Sequence, residues 1–197
     1  MIPFWTELKK HIAANLPISE EAIDLIKPYV SFRTVRKGEL LYEEGKACKN
    51  VYCIKSGIFR NFITYDGNTK TRWFAIEGDF FTSSYSLSTG SCAQTSVEAV
   101  MKGEIWEVSL SYVNSIVRQN EEWNRWLLKM LIDGLGSWEL RDRILVSGDS
   151  YERFKKFYTI KPMNILNQIP LQHVASYLGI TPQTLSLFRK RLAKEED

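Results

Sequence analysis

Little in this chain of 197 residues could hold a metal or a covalent framework. Its three cysteines, Cys48, Cys53 and Cys92, are an odd number with no CxxC spacing among them, which argues against a disulfide scaffold and a zinc knuckle alike. Only two histidines occur, His11 and His173, and neither falls between residues 30 and 109. No uncharged apolar run approaches the roughly 20 residues of a membrane span. The first ten residues, Met1 to Lys10, lack the basic start and apolar stretch of a signal peptide, so a cytoplasmic chain without a membrane partner is expected. Thr82-Ser83-Ser84-Tyr85-Ser86 is rich in hydroxyls but resembles no nucleophile elbow. No enzymatic activity and no cofactor are expected.

What is present is ordinary folded composition: 44% hydrophobic, 25% charged and 13% aromatic residues, which excludes a disordered tail. The net charge of +3 is unevenly spread. Residues 151–197 hold eight Lys/Arg against four Asp/Glu, whereas residues 1–150 hold 18 against 19. A basic last quarter on a neutral body fits an appended module with an anionic partner, although a solvated basic helix gives the same surplus.

Residues 1–29 read as amphipathic helices, with Pro28 stopping the second. From Val30 to Ser109 the pattern turns β-like. Gly38, Gly45, Gly57, Gly67, Gly78 and Gly90 punctuate short runs such as Leu40–Tyr42, Val51–Ile54, Ile58–Ile63 and Thr71–Ile76, and Asp66-Gly67-Asn68 suits a hairpin turn. Many short strands with regular turns predict a sandwich or barrel. Residues 110–146 then read as a long helix, with Trp123, Trp126, Leu127, Met130 and Leu131 recurring at three- and four-residue steps. Periodicity leaves two surfaces open for this stripe, the barrel of the same chain or a partner helix. Val146–Ser150 breaks the pattern, and either Ser147 or Asp149 can cap the next helix.

The most specific signal is Leu171–Leu192. Ala175 is small, as a helix crossing requires, and Gly179 can take the left-handed conformation that ends a helix. Thr181 can cap a second helix with Pro182 in its first turn. Leu185, Phe188 and Leu192 share one face, ready to pack on Val174 and Leu178. Gln183, Leu187, Lys190, Arg191 and Lys194 share the opposite face, with Thr184 at its edge. This is the pattern of a helix-turn-helix whose second helix enters the major groove of double-stranded DNA.

On these residues the chain resembles the Crp/Fnr family of bacterial transcriptional regulators. The segment Val174-Ala175-Ser176-Tyr177-Leu178-Gly179-Ile180-Thr181, with Leu185-Ser186 and Arg189-Lys190, is similar to the helix-turn-helix of the shorter members. Gly38-Glu39, Lys55-Ser56-Gly57 and Gly78-Asp79-Phe80 match their cyclic-nucleotide-binding-type domain. The resemblance implies an α+β fold: an N-terminal jelly-roll β-barrel over 1–110, a long dimerisation helix over 111–147 and a helix-turn-helix domain over 148–197. It favours the partner-helix reading, a homodimer seam of Trp123, Trp126, Leu127, Met130 and Leu131. It also implies DNA contacts from Gln172, Thr181, Gln183, Thr184, Leu187, Lys190 and Arg191.

The sequence departs from the family at both sites. Members that bind cyclic AMP hold its ribose with a Gly-Glu pair and its phosphate with an Arg; here Thr82-Ser83 and Ala93, followed by Gln94, stand at those positions. A buried phosphate without a cation is heavily penalised, so cyclic AMP binding is not expected. An effector pocket of Phe80, Thr82, Ser83, Ser84, Ala93 and Gln94 is left for an unknown small molecule. Three scattered cysteines cannot supply the four thiolates usual for an iron–sulfur cluster. Leu187 stands where relatives often carry an Arg that reads guanine, and leaves only apolar contact, as with a thymine methyl. Leu187 and the acidic Glu195-Glu196-Asp197 keep an alternative open: a dimeric small-molecule-binding or protein-interaction module that no longer reads DNA.

Overall fold

The computed structural model describes residues 2–146, 148–160 and 166–196. Two helices open the chain, α1 (Ile2–Asn15) and α2 (Glu20–Ile26), followed by a 3-10 turn, Lys27–Tyr29, with Pro28 in its first positions. Eight strands follow the turn signals: β1 (Val30–Val35), β2 (Leu40–Tyr42), β3 (Asn50–Ser56), β4 (Phe59–Tyr65), β5 (Asn68–Ala75), β6 (Phe80–Phe81), β7 (Ser96–Ala99) and β8 (Gly103–Ser109). A short helix, α3 (Ser84–Thr89), lies between β6 and β7. The strands form two four-stranded sheets, ordered β1-β8-β3-β6 and β2-β7-β4-β5, which is the expected jelly roll.

The six spaced glycines all take positive φ. At Gly57 the need for glycine is doubled, because a Cβ there would stand 2.8 Å from the Cα of Gly103. Gly103 in turn could not carry a side chain, since its Cβ would meet the Ser56 carbonyl at 2.5 Å. The β3–β4 turn and the start of β8 therefore touch backbone to backbone.

The helix expected over 111–147 is two helices, α4 (Leu110–Gln119) and α5 (Glu121–Val146), and Ser147 lies outside the described residues. Asn120 causes the break. Its backbone is extended (φ −128°, ψ 116°), and its Oδ1 accepts the Trp123 N–H at 3.0 Å, capping α5. After α5 come α6 (Ser150–Ile160), α7 (Leu171–Leu178) and α8 (Pro182–Glu196). Asp149 caps α6, its Oδ1 accepting from the N–H groups of Tyr151 and Glu152. The chain divides into two compact units, Met1–Arg60 with Phe74–Leu135, and Asn61–Trp73 with Gly136–Asp197.

The core of the first unit corrects the seam assignment. Trp123 (5% exposed), Trp126 (4%) and Leu127 are buried within this chain, and Met130 packs on the same cluster as Leu8, Ile12, Ile23 and Trp106. Trp123 Nε1–H donates to the Ala22 carbonyl and Trp126 Nε1–H to that of Ile12, both at 2.8 Å. These indoles serve as pegs for α1 and α2, so they are not available to a partner helix. Leu131 is half-buried. A further tie joins α2 to α5: the Glu122 carboxylate accepts from Ser19 N–H (2.6 Å) and Oγ–H (2.7 Å), while Ser19 Oγ caps α2. These hydrogen bonds hold the Glu122 pKa below its ordinary value. Because the folded-state pKa is the lower one, this stabilisation is full above the unfolded glutamate range and disappears as pH falls through the depressed value. Glu122→Gln should therefore lower the urea midpoint at pH 7 and leave it unchanged in acid below that value. A midpoint difference that persists there would refute the assignment.

Candidate nucleic-acid interface and effector site

The helix-turn-helix forms as its residues dictate. Gly179 takes the left-handed conformation (φ 68°, ψ 34°) and ends α7, with Ile180 N–H closing the turn onto the Ala175 carbonyl at 3.0 Å. Thr181 Oγ1 caps α8 by accepting the Thr184 N–H at 3.1 Å, and the two threonine hydroxyls share a 2.9 Å hydrogen bond. Val174, Ala175, Leu178 and Leu185 are buried where the helices cross. Phe188 packs on Tyr151 and Phe154 of α6, with ring centroids 5.1 and 5.6 Å away. Arg189 faces inward, donating to Tyr158 Oη and to the Leu166 carbonyl.

The opposite face is open. Gln172, Thr181, Gln183, Lys190 and Arg191 are exposed, Leu187 is 65% exposed, and Thr184 is half-buried at the edge. Sequence reasoning missed one feature of this face. Arg191 is folded back: its Nε–H donates to Glu195 Oε1 at 2.9 Å, and its guanidinium lies 3.9 Å from the Tyr151 ring centre. Tyr151 Oη–H donates to the other oxygen of Glu195 at 2.9 Å. The hydrogen bonds from Arg191 and then Tyr151 hold the Glu195 pKa below its ordinary value, so the clasp is fully ionised at neutral pH. The i, i+4 spacing of Arg191 and Glu195 on one helix was the signal available in the sequence.

The residues expected to form an effector pocket are placed on several different tasks. Phe80 sits edge-on against Trp126, 4.7 Å between ring centres. Thr82 Oγ1–H donates to the Asn50 carbonyl at 2.9 Å, and Ser83 Oγ caps α3 by accepting the Ser86 N–H. Ser84 and Gln94 are exposed, and the Gln94 amide donates to the Cys92 carbonyl. Ala93 is fully buried, its backbone paired with Gly45 and Lys46. Among the described residues, the cation buried in this unit is one the sequence reading passed over, Arg60 on β4, whose Nε–H meets Glu98 of β7 at 2.5 Å.

Two smaller features complete the first unit. An apolar cavity of about 50 Å³ lies among Leu8, Cys53, Phe80, Trp106 and Trp126; burial pushes the Cys53 thiol up and makes it unreactive. Glu7, His11 and Glu77 bring one ligand-type atom each within 4.8 Å of one another. Glu77 is exposed, and Lys55, 3.9 Å from Glu7, already supplies a positive charge there. Among the described residues no helix is long and apolar enough to cross a membrane.

The model of the cyclic nucleotide-binding domain family matches residues 32–120. Solved structures agree over most of the chain. FixK2 from Bradyrhizobium japonicum superposes with a TM-score of 0.76 at 21% identity, covering 85% of this chain and 86% of its own. The chain has the Crp/Fnr fold. A CooA mutant from Carboxydothermus hydrogenoformans gives 0.71 at 21% identity, covering 90% and 82%. The catabolite activator protein of Thermus thermophilus gives 0.54 at 21%, covering 92% and 86%. No curated protein sequence matches the chain.

Proposed function

We propose that the chain is a homodimeric, DNA-binding transcriptional regulator of Crp/Fnr type, with an effector other than cyclic AMP and no catalytic activity of its own. The observation that carries this reading is the open face of α8: Gln183, Leu187 and Lys190 are exposed on a helix whose other face packs through buried Leu185 and half-buried Phe188. An exposed leucine amid polar neighbours fits contact with a thymine methyl, while Lys190 fits a phosphate. Gln172, at the start of α7, is exposed and suits a backbone contact.

The dimer seam is reassigned to the outer stripe of α5. Leu128 (56% exposed), Ile132 (53%) and Leu135 (65%) recur at four- and three-residue steps, with half-buried Leu131 beside them. They face away from the tryptophan pegs. Such a stripe on a soluble protein calls for a cover, and a second α5 supplies one. Two half-sites on one face of DNA would then lie about 34 Å apart.

The test is binding to duplex DNA from the protein's own upstream region across a salt series. Counterion release predicts a steep negative slope of log affinity against log salt, and Lys190→Gln should reduce that slope by about one while weakening all sequences alike. Weak binding that ignores both salt and sequence would favour the interaction-module alternative. Within this reading the Glu195 clasp has a measurable effect. Glu195→Gln should release Arg191 and tighten DNA binding a few-fold, checked by fluorescence anisotropy; unchanged affinity would mean that Arg191 takes no part in DNA contact.

A further inference from the structure

The second unit brings together cations that the sequence keeps far apart. The β4–β5 hairpin is pinned to α7 through Ser176, whose Oγ accepts the Thr71 N–H at 3.0 Å and donates to the Thr69 carbonyl at 3.1 Å. Beside this junction opens a cleft of about 450 Å³, with Lys70, Arg72, Arg141, Ser176 and Tyr177 in its walls. That size suits a small-molecule ligand. Among the described residues, no carboxylate lines it.

Each of the two arginines lies over an aromatic ring. The Arg72 guanidinium lies 4.3 Å from the Trp138 ring centre, and that of Arg141 lies 5.4 Å from the centre of Tyr177. A cation–π contact of this kind uses no N–H group as a donor to an acceptor atom, so the guanidinium hydrogen bonds are still to be matched. In both residues Nε is shut off from solvent and has no hydrogen-bond acceptor among the described residues. The nearest carboxylate to Arg141 is Asp142, 3.7 Å from its Nη1, but that side chain points largely into solvent. Burial, and after it the charge of Arg141, pushes the Arg72 pKa below its ordinary value. An arginine does not respond by losing its proton, so two neighbouring cations remain half-buried and undercompensated.

We infer that this cleft is a binding site for a small phosphate-class anion carrying more than one negative charge, such as a pyrophosphate group on a metabolite. Tetrahedral phosphoryl oxygens can meet two guanidiniums arriving from different directions, and exposed Lys70 adds a third charge. A singly charged ligand would leave most of that charge uncompensated. The inference goes beyond the DNA reading and does not depend on it, because occupancy is measured without DNA.

The experiment is titration calorimetry of the full chain with inorganic pyrophosphate, with cyclic AMP as the singly charged comparison. Pyrophosphate is expected to bind once per chain, and more weakly as salt rises. Arg141→Gln and Arg72→Gln should each weaken it by about tenfold. Melting curves confirm that the variants are folded, and Lys70→Gln, at an exposed position, should weaken binding with no change in melting. No binding at millimolar pyrophosphate, or binding indifferent to all three substitutions, would overturn the site. Cyclic AMP bound as tightly as pyrophosphate would overturn the charge requirement. Displacement of pyrophosphate by short duplex DNA would assign these cations to the DNA footprint and overturn the small-molecule site.

Discussion

Ile132→Asp is expected to yield a folded monomer whose DNA affinity falls by about 10²–10⁴-fold, the loss that follows when two linked half-site contacts become independent. Ile132 is 53% exposed on α5 and makes no part of the buried cluster, so the substitution leaves the core intact. Aspartate at the centre of an apolar two-fold seam would set two carboxylates against each other in a desolvated contact. Sedimentation should report the monomer, circular dichroism an unchanged fold, and a DNA titration the loss. A variant that stays dimeric at micromolar concentration would refute the outer stripe as the seam.

Trp126→Ala should do the opposite kind of damage. Its indole is 4% exposed, packs edge-on against Phe80 and Trp123, and donates to the Ile12 carbonyl. Removing it opens a cavity beside one that already exists and leaves a buried carbonyl without its donor. A loss of about 3–5 kcal/mol is expected from a tryptophan truncation of this kind. Denaturant unfolding should show it as a lowered midpoint. If Trp126→Ala instead gave a protein of unchanged stability that was simply monomeric, the indole would belong to the seam after all.

These two residues also mark what the sequence could and could not convey. α5 carries two apolar stripes, one through Trp123, Trp126, Leu127 and Met130, the other through Leu128, Ile132 and Leu135. Periodicity identifies a stripe but carries no label for the surface it covers, and analogy assigned the bulkier stripe to the partner. The reason it is internal lies over 100 residues away, in the carbonyls of Ile12 and Ala22. The helix-turn-helix was legible because each of its requirements is local: a small residue at the crossing, a left-handed glycine, a threonine cap. The strands β2 to β5 were legible for the same reason, through glycine-marked turns, whereas β1, β6, β7 and β8 lay within the β-like stretch without being singled out. Ser83 illustrates the limit at the effector site, since a serine aligned with a ligand-binding position is here used to cap α3. Arg72 and Arg141, 69 positions apart, meet across one cleft only because the hairpin and α7 are joined at Ser176, and no spacing rule could have paired them.

The indole pegs bear on how the chain is made as well as on how it is held. The carbonyls of Ile12 and Ala22 await donors 114 and 101 positions downstream. At about 5–20 residues per second, a ribosome needs on the order of 5–20 s to supply them. During that interval the apolar faces of α1 and α2 have no finished surface on which to close, and Trp106 of the barrel lacks its cover as well. A nascent chain stalled before Asn120 should therefore be a client for chaperones, whereas one extended past Met130 should already resist proteolysis across its first unit.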